Sequence, residues 1–179
     1  MAARRTVSLV RHGEYTPTPE GGTLTLLGKA QAEAAGAVFA QGRVQSMHCS
    51  PLRRAIETAD RIAHVCGRKR AKRSDDLAEI SPTARAGVAT AKDARAGQAQ
   101  VRRLLEALSK PAKRSRHDVL VAHGNLIRAL CCAVLEAPPH AWMKMAIDHG
   151  SITTLVVTAA GRVHLVGFNA TAHLGALVE

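Results

Sequence analysis

The sequence predicts an α/β fold, a three-layer α/β/α sandwich around a mainly parallel, mixed central sheet. Three observations predict it. Short apolar runs that read as strands alternate with longer segments of helical spacing, the pattern of a parallel sheet covered on both faces. Two of those runs end in a histidine followed by glycine, at Arg11-His12-Gly13 and at His123-Gly124-Asn125. The last two runs are separated only by Ala159-Ala160-Gly161, close enough for a hairpin, and a hairpin makes the sheet mixed.

The elements follow in chain order. Thr6-Val7-Ser8-Leu9-Val10 alternates and opens a first strand over residues 7–11. Pro17, Pro19, Gly21 and Gly22 then mark an irregular loop. Residues 28–40 are rich in good helix formers and Thr25 is placed to cap them. A strand over 44–49 is followed by a helix over 52–65 with Ile56, Ala59 and Ala63 on one face. Residues 81–90 form a second irregular loop after an acidic patch, and either loop is placed to cover a site. A helix over 93–109 carries Val101, Leu104, Leu105 and Leu108 at helical spacing and stops near Pro111. A strand over 119–122, a helix from His123 to before Pro138-Pro139, and strands over 152–158 and 162–167 complete the chain. No repeat or linker interrupts residues 1–179, so one domain is expected.

With 179 residues the chain is long enough to bury one substantial core. One Trp, one Tyr and two Phe leave that core to aliphatic side chains. No apolar stretch approaches the roughly 20 residues of a membrane helix, so a soluble domain with no membrane partner is expected. The opening Met1-Ala2-Ala3-Arg4-Arg5 lacks the apolar run of a secretory signal. Cys49, Cys66, Cys131 and Cys132 show neither metal-ligand spacing nor a disulfide framework, which points to free thiols and a cytoplasmic compartment. The net charge of +11 favours anionic ligands. Its clusters, Arg68-Lys69-Arg70, Lys72-Arg73 and Lys113-Arg114-Ser115-Arg116, are read first as solvated charge. Nucleic acid is disfavoured as a partner because four aromatics supply few stacking platforms.

Ligands of open α/β sheets sit beyond the carboxyl ends of the strands, where both histidines fall. Arg11 neighbours His12, and Arg54 stands near the start of the helix after the second strand, in Ser50-Pro51-Leu52-Arg53-Arg54-Ala55. Guanidinium groups remain charged and match phosphate bidentately. Arg11, Arg54, His12 and His123 are therefore the candidate phosphate pocket, while Arg53 is expected to pair with Glu57 four residues on.

Arg11-His12-Gly13, the Ser-Pro-Leu-Arg-Arg-Ala segment, Asp76-Leu77-Ala78-Glu79 and His123-Gly124-Asn125 stand in the order found in the histidine phosphatase superfamily, which the chain resembles over nearly its whole length. The resemblance implies a phosphoglycerate mutase-like fold. Arg54-Ala55-Ile56-Glu57-Thr58 and the stretch from His123-x-Asn125-x-Ile127-Arg128 through Pro138, Trp142 and His149-Gly150-Ser151-Ile152-Thr153 look like the mitochondrial serine/threonine protein phosphatase branch. By resemblance, His12 is the nucleophile that becomes phosphohistidine, and Arg11, Arg54 and His123 hold the phosphate oxygens. Gly13, Gly124 and Asn125 join the substrate-binding set, and Glu79 is the general acid. His149 and Ser151 are supporting groups at the site edge. The implied reaction is hydrolysis of phosphomonoesters, on phosphoserine or phosphothreonine in protein or on small phosphate esters, with no metal and no organic cofactor.

The alternatives are a phosphoglycerate mutase-type phosphotransferase and a phosphate-recognising module without turnover. Glu79 is followed by Ile80-Ser81-Pro82 rather than the Arg-x-Tyr-Gly of mutases, which weakens the first. A cysteine phosphatase loop fails because the position six after Cys49 is Ala55. No zinc-hydrolase spacing is present among the nine histidines. His64, His117, His140, His164 and His173 are read as surface or satisfied core residues, and Trp142 with the Pro138-Pro139 turn as contact features of a possible homo-oligomer.

Overall fold

Residues Arg5–Arg11 (β1) place Val7 and Leu9 in one core and Val10 in another, as the period of a strand buried on both faces requires. The computed structural model describes residues 3–81, 83–84, 87–111 and 114–178. Met1, Ala2, Pro82 and Lys113, invoked above, lie outside the described residues.

The chain then forms a short hairpin of Tyr15–Thr16 (β2) and Thr23–Leu24 (β3), the helix Leu26–Ala40 (α1), Ser46–Cys49 (β4), Arg53–Val65 (α2) and Lys72–Arg73 (β5). Ala91–Leu108 (α3), Arg116–Ala122 (β6) and Gly124–Val134 (α4) follow, then the hairpin of Ile152–Val157 (β7) and Val163–Ala170 (β8). The six-stranded sheet runs β5-β4-β6-β1-β7-β8. Its first four strands are parallel, and β7 pairs antiparallel with both β1 and β8. Helices α1 and α2 cover one face through Ala35, Phe39, Ala55, Ala59 and Ile62. Helices α3 and α4 cover the other through Val101, Leu104, Leu126, Ile127 and Leu130. This is the α/β/α architecture expected.

Local chemistry sets the helix boundaries. Thr25 accepts the Gly28 amide at 3.0 Å, as its placement predicts, and α1 starts at Leu26 rather than Gly28. Helix α3 starts at Ala91 rather than Asp93, because Thr90 and Asp93 form a reciprocal capping box. Helix α4 stops at Val134, and Glu136 just beyond takes a left-handed φ of 53°.

The loop expected at residues 17–22 is present, with Gly21 and Gly22 at positive φ, and β2 and β3 flank it, paired Tyr15 to Leu24 and Thr16 to Thr23. Two expectations are corrected. Lys72 and Arg73, read only as charge, add an edge strand to β4. Trp142 is no contact feature: it is buried, with the Arg128 guanidinium 4.9 Å above its ring. Its amphipathic ring is consumed by an internal cation-π contact.

At the amino-terminal end of the sheet, Asp118 is buried between Arg5 and Arg116, each at 2.6 Å, and accepts the Ser46 hydroxyl. This network joins the starts of β1, β4 and β6 and leaves the other end for chemistry.

Candidate active site

Parallel pairing of β1 with β6 aligns Arg11 with Ala122, so the next residues on each strand, His12 and His123, emerge side by side. Their ring centroids are 5.0 Å apart. On the other side of β1, the antiparallel start of β7 brings His149 to 5.3 Å from the His12 ring. The carboxyl edge of the sheet thus gathers three imidazoles from positions up to 137 residues apart in sequence.

His12 is buried, and both ring nitrogens are engaged. The Gly13 carbonyl lies 2.9 Å from Nδ1 and can only accept, so Nδ1 carries the proton. Nε2 is then bare and accepts the Arg54 Nε–H at 3.0 Å. Burial holds the imidazole well below its ordinary pKa of 6.5, with His123, Arg54 and Arg11 pushing the same way against the Gly13 bond. His12 is accordingly a neutral base at pH 7 with its lone pair aimed at a guanidinium.

Arg54 sits in the first turn of α2, and its Nη1 donates to the Gly21 carbonyl at 2.5 Å. Thr58, one turn on, accepts the Gly13 amide at 3.1 Å and donates to the Arg54 carbonyl at 2.8 Å. It therefore ties α2 to the turn that holds His12. Tyr15 stands edge-on to His12 at 5.1 Å with Arg54 4.7 Å over its ring. Arg11 donates to the Ile147 carbonyl and engages His149 Nε2, both at 2.6 Å. Gly13 itself passes so close to α1 that a Cβ there would lie 2.3 Å from the Gly28 oxygen.

His123 is also buried, and its pKa is lowered to about 3 by burial first and then by Arg54 and Arg11. Ser50 Oγ lies 2.7 Å from Nε2 and accepts the Leu52 amide at 3.2 Å. With the Ser50 proton directed to Nε2, the ring proton falls on Nδ1, a buried atom with no hydrogen-bond partner among the described residues. In that tautomer the Nδ1–H is a donor ready for an oxyanion.

Glu79 approaches from the segment after β5 and caps α4, accepting the Ile80 amide at 3.0 Å and the Leu126 amide at 3.3 Å. Burial raises its pKa above the ordinary 4.5, although these amides and the Arg54 charge pull the other way. Asn125 donates to the Ile80 carbonyl at 3.1 Å and accepts from Arg128, so it braces the Glu79 segment. Gly124 lets Arg11 lie against the first turn of α4, where a Cβ would fall 3.4 Å from Arg11 Nε.

The structure therefore brings His12, His123, Arg11, Arg54, Gly13 and Gly124 together, with Glu79 and Asn125 on the α4 side. Arg53 pairs with Glu57 at 2.8 Å, as its spacing predicts. Ser151 is buried beside the Arg11 backbone, which donates to its carbonyl. His117 bonds Ser8, and His173 the Gly150 carbonyl, both in structural roles. Tyr15, Ser50 and Thr58 were missed as site residues. Thr58 alone left a signal, a β-branched hydroxyl inside a helix one turn after Arg54. A neutral nucleophilic nitrogen, two guanidiniums, an imidazole donor and a carboxyl of raised pKa suit an electrophile bearing several negative oxygens.

The model of the histidine phosphatase superfamily (branch 1) matches residues 7–99 and 86–171. The chain is 30% identical over 185 residues to the mitochondrial serine/threonine-protein phosphatase Pgam5 of Caenorhabditis briggsae, covering 96% of this chain and 65% of that protein. It is 31% identical over 182 residues to mitochondrial PGAM5 of Homo sapiens, with 91% and 61% covered. It thus spans less than two thirds of the length of these relatives. The solved structure of mycobacterial glucosyl-3-phosphoglycerate phosphatase superposes with a TM-score of 0.75 at 25% identity, covering 93% of this chain and 99% of that one. The cytoplasmic placement is corrected by the relatives, which are mitochondrial by name. Free thiols report a reducing environment rather than one organelle, so cysteine usage does not fix the compartment.

Proposed function

Since the chain belongs to the histidine phosphatase superfamily, branch 1, we propose that it is a phosphatase hydrolysing phosphomonoesters through a phosphohistidine on His12. The observation that carries this reading is the pair of bonds on the His12 ring. Gly13 keeps the proton on Nδ1, and Arg54 marks the side from which Nε2 meets an anion.

The proposed reaction has two steps. As a phosphate ester enters, the Arg54 N–H passes from Nε2 to a phosphoryl oxygen, joined by Arg11 and the His123 Nδ1–H. The Nε2 lone pair then forms an N–P bond while the ester P–O bond breaks, and Glu79 gives its proton to the leaving oxygen. In the second step water yields a proton to the Glu79 carboxylate and its oxygen attacks phosphorus. The N–P electron pair returns to Nε2 and inorganic phosphate departs. Proton transfer of this kind contributes about 10²- to 10⁴-fold, and the raised pKa of Glu79 supports its part in both directions. The Gly13, Gly124 and Asn125 positions complete the proposed substrate-binding set, and residues 1–179 act as one domain.

The preferred substrates are phosphoserine and phosphothreonine in polypeptides, supported by the relatives, which are named serine/threonine-protein phosphatases. Small phosphate esters come second, supported by the mycobacterial phosphatase. The test is turnover of an aryl phosphate in the presence of chelator, with rapid acid-free trapping of the labelled protein. Wild type is expected to turn over and to carry an acid-labile adduct, and His12→Ala to do neither. Phosphate binding without turnover, or turnover that survives His12→Ala, overturns the reading.

A further inference from the structure

The surface grooves of this molecule differ in how they treat their own charge. Between α1 and α2, Lys29, Arg53 and Arg61 face Glu33, Glu57 and Asp60, and ion pairs Arg61–Glu33 and Arg53–Glu57 neutralise the cleft from within. At the amino-terminal end of the sheet, opposite His12, no such balance exists. Two hollows of about 430 and 380 Å³ adjoin there and share Gln45. Arg68, Lys69, Arg70 and Lys72 line the first, Arg4 and Arg43 the second, and among the described residues no acidic side chain lines either. Asp118 nearby is buried and already held by Arg5 and Arg116. Arg70 reaches Asp60 only at 3.8 Å, while Arg4, Arg43, Arg68, Lys69 and Lys72 form no ion pair among the described residues. Like charges gathered around concave walls focus the field and attract a polyanion.

We propose that this face is a docking surface for an acidic, extended stretch of polypeptide. The sheet edge selects polypeptide over other polyanions. Strand β5 pairs with β4 only at His48 and Cys49, so Ser46 and Met47, which line the first hollow, have no strand neighbour on that side. An extended chain can add main-chain hydrogen bonds to such an edge while its carboxylates meet the flanking cations. Among the described residues neither hollow contains a Phe, Tyr or Trp, their only rings being the half-buried His48 and His117 imidazoles, and neither presents a large exposed apolar side chain that would enter a lipid layer. The proposal rests on the phosphopolypeptide reading only for its consequence: acidic substrates are recruited at one end of the sheet and dephosphorylated at the other.

Binding is measured directly, without turnover, by anisotropy of a labelled oligoglutamate peptide on the full chain at low salt. Wild type should bind saturably and lose affinity as salt rises. The combined charge reversal Arg68→Glu, Lys69→Glu and Lys72→Glu should weaken binding by at least about tenfold, about 1.4 kcal/mol. Neutral Arg68→Gln, Lys69→Gln and Lys72→Gln should weaken it less, in the same direction, which guards against misfolding of the reversed variant. Aryl phosphate turnover should be unchanged in both variants, and kcat/KM for an acidic phosphopeptide should fall. Absence of saturable binding, binding indifferent to the substitutions, or tighter binding of duplex DNA or phosphatidylserine vesicles overturns the proposal. Failure of aryl phosphate turnover in wild type counts against the phosphatase reading alone, since the anisotropy is read independently.

Discussion

Glu79 holds opposed pulls in one side chain. Amides at the start of α4 favour its charged form, yet burial prevails and raises its pKa. His12 is pushed the other way and stays neutral well below pH 6.5. In the first step of the proposed reaction His12 must be bare and Glu79 protonated. Activity should therefore fall on the acid side only well below pH 6.5 and fall on the basic side as pH rises through the raised Glu79 value. Glu79→Gln should lower kcat by about 10²- to 10⁴-fold and remove that basic limb in a pH-rate profile. A variant that keeps the wild-type basic limb would reassign the acid. His12, His123, Arg11 and Arg54 were legible in the sequence because a strand end and a helix start position them locally. Ser50 and Tyr15 were not, and Thr58 left only its hydroxyl inside a helix. Each acquires its role from a partner far away in sequence, as Thr58 does by accepting the Gly13 amide from 45 residues off.

At the level of elements, the first turn of α1 crosses the turn after β1 at glycine on both sides. A Cβ on Gly28 would lie 1.9 Å from the Glu14 oxygen, and that contact is backbone, which cannot swing aside. Gly28→Ala should lower stability by at least about 1–3 kcal/mol, the usual cost of overpacking. It should also lower kcat, because the displaced turn carries His12. Gly42→Ala is the control, since its Cβ would meet only the Phe39 oxygen at 3.9 Å. Urea unfolding midpoints compare the two, and equal midpoints would refute the crossing as a constraint. The long elements were readable because each has its own period or cap: Val101, Leu104 and Leu108 on α3, Thr25 before α1. The short ones, β2, β3 and β5, have two residues each and no period of their own. They exist because a neighbour pairs with them.

Over the whole molecule, buried neutral histidines set an acid limit on stability. His123 keeps a pKa of about 3 when folded against an ordinary 6.5. Between those values the unfolded chain holds a proton that the folded chain refuses, so stability falls as pH falls, by up to about 1.4 kcal/mol per pH unit from this group. Glu79 opposes part of this, because above pH 4.5 and below its raised value the folded state holds the additional proton. Urea titrations across this range should show the slope in wild type and a shallower one in His123→Gln. Identical slopes would mean that His123 is not the group refusing the proton. The layers, the strand-to-histidine junctions and the cationic character are legible along the chain, because periodicity, caps and charge are local properties. Which nitrogen of His12 is bare, the burial of Glu79 against the start of α4 and the packing of Trp142 inside follow from the fold. Those outcomes depend on strand register and on contacts between residues distant in sequence, where burial and hydrogen bonding are collective.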